Sequence, residues 1–178
     1  DYEHNQLYAG YRKDYSTSQR DKSNEFQTIG SVGLWSNLQF DLNDCLYFFI
    51  SERMDKHTLY DEEYNQGYGT LYKFNKNLSL KLSQNGAFRA PDLNSLYYPD
   101  YGSENLEPEK SNNYDAELNY QANNLTISLG AYKKEIEDMI ISVPSDNGRY
   151  YAENCSEAEI SGEELDLTYK FFDRKLEL

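Results

Sequence analysis

Apolar and polar residues alternate along most of this chain. Tyr114, Ala116, Leu118 and Tyr120 interleave with Asp115, Glu117, Asn119 and Gln121. Leu125, Ile127, Leu129 and Ala131 interleave with Thr126, Ser128, Gly130 and Tyr132. Leu78, Leu80 and Leu82 alternate with Ser79, Lys81 and Ser83, and Leu165, Leu167, Tyr169 and Phe171 alternate with Glu164, Asp166, Thr168 and Lys170. Successive side chains of an extended strand point to opposite sides, so each stretch predicts a strand with one apolar and one polar face. A helix would place apolar residues three and four apart, and these stretches do not. Residues 133–141 come nearest to helical spacing, and they read as an extension of the strand before them.

The connections alternate too. Short polar turns are predicted at residues 41–44, 74–77, 122–124 and 172–175. Longer polar connections are predicted at about residues 14–24, 55–67, 89–111 and 142–150. The order is strand, long loop, strand, short turn, repeated four times, with a ninth strand starting at Arg174. The expectation is an all-β chain: an antiparallel up-and-down meander of about eight long strands, forming a β-barrel or part of a larger transmembrane β-barrel. Residues 24–40 and 150–171 each have room for one strand well beyond the usual five or six residues. Alternation with polar turns also describes a soluble sandwich or a lipocalin-like barrel for a small ligand. On pattern alone both readings stay open.

Composition narrows the classes. The 178 residues carry a net charge of −14, the wrong sign for neutralising nucleic-acid phosphates. No apolar run approaches the ~20 residues of a membrane-crossing helix, which leaves strand-based crossing untouched. The 18 tyrosines suit strands and membrane edges, because a phenol pairs an apolar body with a polar tip. Cys45 and Cys155 are far apart in sequence and pair only if the fold joins them.

One segment is more specific. Gly86-Ala87-Phe88-Arg89-Ala90-Pro91-Asp92-Leu93 is followed by Leu96-Tyr97 and then by Asn105-Leu106-Glu107-Pro108-Glu109-Lys110-Ser111. This order and spacing resemble a block of the TonB-dependent outer-membrane receptors, where a strand ends in Ala-Phe-(Arg/Lys)-Ala-Pro-x-Leu and an extracellular loop returns through Asn-x-Leu-x-Pro-Glu-x-Ser. Flanking stretches agree. Arg53-Met54-Asp55 resembles the family's Arg-x-Asp strand end. Tyr132 to Ile140 resembles Tyr/Phe-x-x-x-Ile-x-Asp-x-Ile. Tyr150-Tyr151-Ala152-Glu153-Asn154 and Ala158 to Glu164 resemble its Tyr-x-Asn followed by Ala-x-Ile-x-Gly-x-Glu. Physically, Pro91 ends a strand by withholding a ladder donor, and Gly162 permits a bulge or close packing.

The resemblance implies one barrel segment over residues 1–178 without a plug domain, placed in the bacterial outer membrane against its lipid. It implies uptake of a scarce nutrient, cobalamin or a ferric siderophore, with the vitamin B12 group nearest in arrangement. TonB would act only through the plug, so the segment alone would not be transport-competent. A segment of a larger protein, a partial gene and a water-soluble derivative all fit the missing parts. Glu163 departs from the pattern by standing on the apolar face with Leu165 and Leu167, a costly place unless it lies near the membrane rim.

No catalytic constellation, cofactor motif or nucleic-acid motif emerges, and His4 and His57 lack nucleophile neighbours. Asp61, Glu62 and Glu63 have the oxygen ligands calcium takes, and equally read as a solvated loop. Glu104, Glu107 and Glu109 belong to the resemblance block and have the same two readings. Tyr97, Tyr98 and Tyr101 fall on the predicted extracellular loop as candidate nutrient contacts, or as packing that holds the loop together.

Overall fold

A computed structural model describes the backbone of residues 6–20, 26–146, 148–171 and 174–177, and the side chains of residues 6–14, 28–146 and 148–171. The described residues form nine strands and one short helix. The strands are β1 (Gln6–Arg20), β2 (Phe26–Asn43), β3 (Leu46–His57), β4 (Glu63–Lys73), β5 (Leu78–Arg89), β6 (Glu109–Ala122), β7 (Leu125–Pro144), β8 (Tyr150–Phe171) and β9 (Arg174–Glu177). The helix α1 (Leu93–Tyr97) lies between β5 and β6. The strands form one sheet in sequence order, each antiparallel to the next. The all-β meander of eight long strands and a ninth from Arg174 is therefore what forms. Residues 133–141 continue β7 and are not helical.

The register explains the alternation. Leu7 sits opposite Leu38, Leu38 opposite Ile50, and Ile50 opposite Tyr68. Tyr72 meets Leu80, Leu80 meets Leu118, Leu118 meets Leu129, and Leu129 meets Leu165. One face of the sheet thus carries an apolar band across eight strands, stepping along β4 from the Leu7–Tyr68 row to the Tyr72–Leu165 row. Its side chains are exposed, Leu129 at 51% and Leu165 at 68%. A one-residue slip would scatter the band, so the pattern and the register specify each other. The opposite face carries Asp115, Glu117, Asn119, Ser128, Glu164 and Asp166.

The band has a height. It starts near the short turns and ends where Ala131 is followed by Lys133 and Glu135 and where Leu165 is preceded by Glu163. Beyond that row the same face is charged: Lys133 pairs with Glu135 at 2.8 Å and with Glu159 at 3.2 Å. Glu163 pairs in register with Ala131, so it stands at the upper edge of the band and not in its middle. Gly162 accommodates close packing: a Cβ there would lie 2.6 Å from the Tyr132 hydroxyl across the ladder.

Three long connections are shorter than the sequence predicts. β1 runs to Arg20 through the predicted 14–24 loop, whose residues 21–24 lie outside the described ones, as do His4 and residues 172–173 of the last turn. β3 and β4 leave only residues 58–62 between them, and β7 and β8 only 145–149. Above the band both faces are wet, so alternation fades while the ladder continues. The remaining long loop, 90–108, is a true one, and it contains the helix that the sequence pattern did not reveal. Cys45 and Cys155 are both free. Cys45 sits in the β2–β3 turn and Cys155 toward the opposite end of β8. At the sheet margins β1 pairs with β2 and β9 with β8, so the described strands form an open wall and not the closed barrel of the lipocalin reading.

Candidate functional site

The 90–108 loop folds over the polar face. Helix α1 lies against β1 and β2 on one side, while Leu96 and Leu106 pack with Ala152 and Ile140 of β8 and β7 on the other. Strands four apart from the loop's roots are reached only if the sheet curves, so the polar face is concave. Pro91, Leu93, Leu96, Leu106 and Ala152 are among the most buried residues of the chain. The core of this open wall is therefore under its loop.

Local chemistry shapes the loop. Pro91 stops β5. Asp92 then caps α1, its carboxylate accepting the Ser95 N–H at 2.7 Å. After the helix the chain doubles back, with Gly102 N–H bonded to the Tyr98 carbonyl at 2.7 Å and Ser103 N–H to the Ser95 carbonyl at 2.9 Å. A Cβ on Gly102 would stand 2.6 Å from the Leu96 carbonyl carbon, so only glycine fits there.

The base of the loop is a latch. Arg89 and Glu109, facing partners on β5 and β6, form a two-pronged ion pair at 2.6 Å. The same Glu109 carboxylate accepts the Ile140 N–H at 2.8 Å. That N–H lies past the last β6–β7 pair, Lys110–Glu137, and just before it Asp138 has φ 54° and makes no ladder pair. Aspartate tolerates that conformation better than most residues. Burial opposes ionisation of Glu109, but the Arg89 hydrogen bond and the Ile140 N–H outweigh it, and its pKa is lowered from 4.5.

Asn154 of β8 completes the latch. Its side-chain oxygen accepts the Glu107 N–H at 2.8 Å, and its amide donates to the Glu107 carbonyl at 2.9 Å and to the Asp138 carbonyl at 2.6 Å. From the β3–β4 loop, Tyr60 donates its hydroxyl to the Leu106 carbonyl at 2.9 Å. Burial first, then Glu107 and Tyr97, push the Tyr60 phenol up to about 12. At the tip, Arg149 pairs with Asp100 at 2.6 Å.

The predicted tyrosines divide here. Tyr101 is half-buried, bonds the Ser142 hydroxyl at 2.9 Å, and lends its carbonyl to the Ala152 N–H at 2.8 Å. Tyr97 packs against the Leu96–Leu106–Ala152 cluster. Tyr98 is 52% exposed at the loop surface. Of the acidic groups, Glu62 pairs with Lys56 at 2.9 Å and Glu63 with Lys110 at 2.8 Å. Among the described residues no three His, Cys, Asp or Glu side chains gather in a metal-binding arrangement. Arg89, Glu109, Asp138 and Asn154 are visible in the sequence only as letters of the resemblance blocks. Their joint role emerges only in the fold.

A curved antiparallel wall with one apolar face, short turns at one end and an anchored loop over its concave side has the architecture of the wall of an up-and-down barrel. The chain belongs to the TonB-dependent receptor-like β-barrel family, whose model matches residues 1–178. It is 30% identical over 176 residues to the vitamin B12 transporter BtuB of Photobacterium profundum, covering 90% of this chain and 27% of that protein. It is 34% identical over 84 residues to the vitamin B12 transporter BtuB of Vibrio vulnificus, covering 47% of this chain and 14% of that protein. Among solved structures, the siderophore receptor PirA from Pseudomonas aeruginosa superposes with a TM-score of 0.83 at 16% identity, covering 92% of this chain and 36% of that one. The copper transporter OprC superposes with a TM-score of 0.79 at 17% identity, covering 95% and 33%. The chain thus spans roughly a quarter to a third of the length of the relatives it matches along most of its own length.

Proposed function

We propose that this chain is wall and extracellular-loop structure of an outer-membrane receptor that takes up a corrinoid such as cobalamin. The observation that carries the reading is the apolar band: a continuous exposed apolar face, bounded above by charge, is costly in water and stable against lipid. The band faces the bilayer, the concave polar face lines the lumen, and the 90–108 loop stands at the outer mouth. The other strands of the wall, the plug and its contact with TonB supply closure and energy, so this section does not transport alone.

The corrinoid is favoured over a ferric siderophore by the sequence relatives. The siderophore-receptor likenesses rest on shared fold at low identity, whereas the BtuB likeness extends through the loop blocks. Within the loop, Tyr98 is the tyrosine free to meet a ligand, while Tyr97 and Tyr101 hold the platform beneath it. Titration of the full receptor with cyanocobalamin tests this. The expected result is saturable binding that a ferric siderophore does not displace, weakened severalfold by Tyr98→Ala. Siderophore binding without cobalamin binding would overturn the assignment.

A further inference from the structure

Just above the apolar band, β4 and β5 part company. Their ladder runs only as far as Gly67–Asn85, although β4 begins at Glu63 and β5 continues to Arg89. β3 still pairs with β4, and β6 with β5, over these upper stretches. The result is a seam in the wall, and on the band's side of the sheet it opens into a cleft of about 350 Å³. Gly86 lines it, and a Cβ there would already touch the Gln66 carbonyl oxygen at 3.4 Å. Gln66, Gln84 and Asn112 present amides around it, and Tyr64 and Tyr68 stand 59% and 48% exposed on the β4 side, the Tyr68 hydroxyl donating to the Gln66 side-chain oxygen at 2.7 Å. Gln84 already donates to the Asn112 side-chain carbonyl oxygen at 3.1 Å, which leaves the rest of both amides for a ligand.

The charges choose the ligand class. Among the described residues Lys110 is the only cation of the cleft lining, and Glu63 holds it at 2.8 Å. Glu135, held by Lys133 at 2.8 Å, and Glu137 add two more carboxylates on the far side. A free phosphate or other anion is therefore disfavoured. Amides and carboxylates that give and take hydrogen bonds, beside aromatic faces that cover C–H surfaces, suit a neutral polyhydroxylated ring. The row directly below the cleft is Thr70, Leu82 and Ala116, the top of the apolar band.

We propose that this cleft binds a neutral sugar of a glycolipid headgroup in the outer leaflet, whose acyl chains lie along the band beneath. The proposal rests on the band being lipid-facing. Native mass spectrometry of the full receptor in detergent tests it, with two probes: a digalactosyl diacylglycerol, whose headgroup is a neutral sugar, and the same diacylglycerol without the sugar. The expected result is about tenfold preferential retention of the sugar-bearing lipid. The preference disappears in a Gln84→Ala/Asn112→Ala double variant and falls in Tyr68→Leu, which removes the aromatic face while keeping the side chain apolar. Equal retention of both lipids, or a preference that survives these substitutions, overturns the sugar site while the lipid-facing band stands. Retention of neither lipid overturns both. Unchanged heat-modified mobility on gels verifies that each variant is folded.

Discussion

Asn154 does for Glu107 what a neighbouring strand would do, accepting its N–H and donating to its carbonyl, and adds a bond to Asp138. Asn154→Ala leaves those backbone groups to water and should cost about 1–2 kcal/mol locally. Hydrogen exchange in residues 98–108 should quicken while β6 stays protected. Gly102→Ala forces a Cβ into the Leu96 carbonyl and should cost about 1–3 kcal/mol, read as a lowered denaturation midpoint. Glu109 makes the latch pH-sensitive. Its pKa is lower folded than the usual 4.5, so its contribution is fully present above 4.5 and is lost as pH falls through its lower native value. Loop exchange should therefore rise in that acid window in the native receptor, and the rise should vanish in Glu109→Gln. Tyr60 works at the other end of the scale. Its raised phenol pKa keeps its support for Leu106 intact below pH 10 and loses it as pH climbs through about 12.

At the level of elements, the sequence was most readable where one face is apolar. β8 spans the anticipated residues 150–171, and β9 starts at Arg174 as expected. The errors cluster above the band. Residues 14–20 and 55–57 read as loop because their sequence lacks apolar–polar alternation, yet their backbones stay in the ladder. Helix α1 has five residues, too few for a 3.6-residue period to show, and its only local signal was Asp92 followed by Ser95. The latch was legible only as resemblance, since its members lie on four strands and no local rule joins them. The faces make opposite predictions for substitution. Leu118→Arg, on the band, should cost about 2–4 kcal/mol of membrane folding stability, whereas Asn119→Arg, one residue on, should be tolerated. Folding of the receptor into lipid vesicles, followed by gel mobility before and after heating, compares them.

For the whole molecule, open margins at β1 and β9 and an apolar exterior make sense together. On the proposed reading, the wall gains its stability from lipid on one side and from the loop on the other. Its acidity lies above the band and on the concave face, which leaves the apolar band itself uncharged. The lipid-facing band is the claim on which the receptor reading, the nutrient proposal and the sugar site all depend. Its most direct test is a spin-label scan of positions 114–122 in the full receptor in bilayers, with Cys45 and Cys155 replaced by serine. The account predicts collision with lipid-dissolved oxygen at 116, 118 and 120, and with a water-soluble nickel complex at 115, 117 and 119. Equal access of the nickel complex to both sets would contradict it.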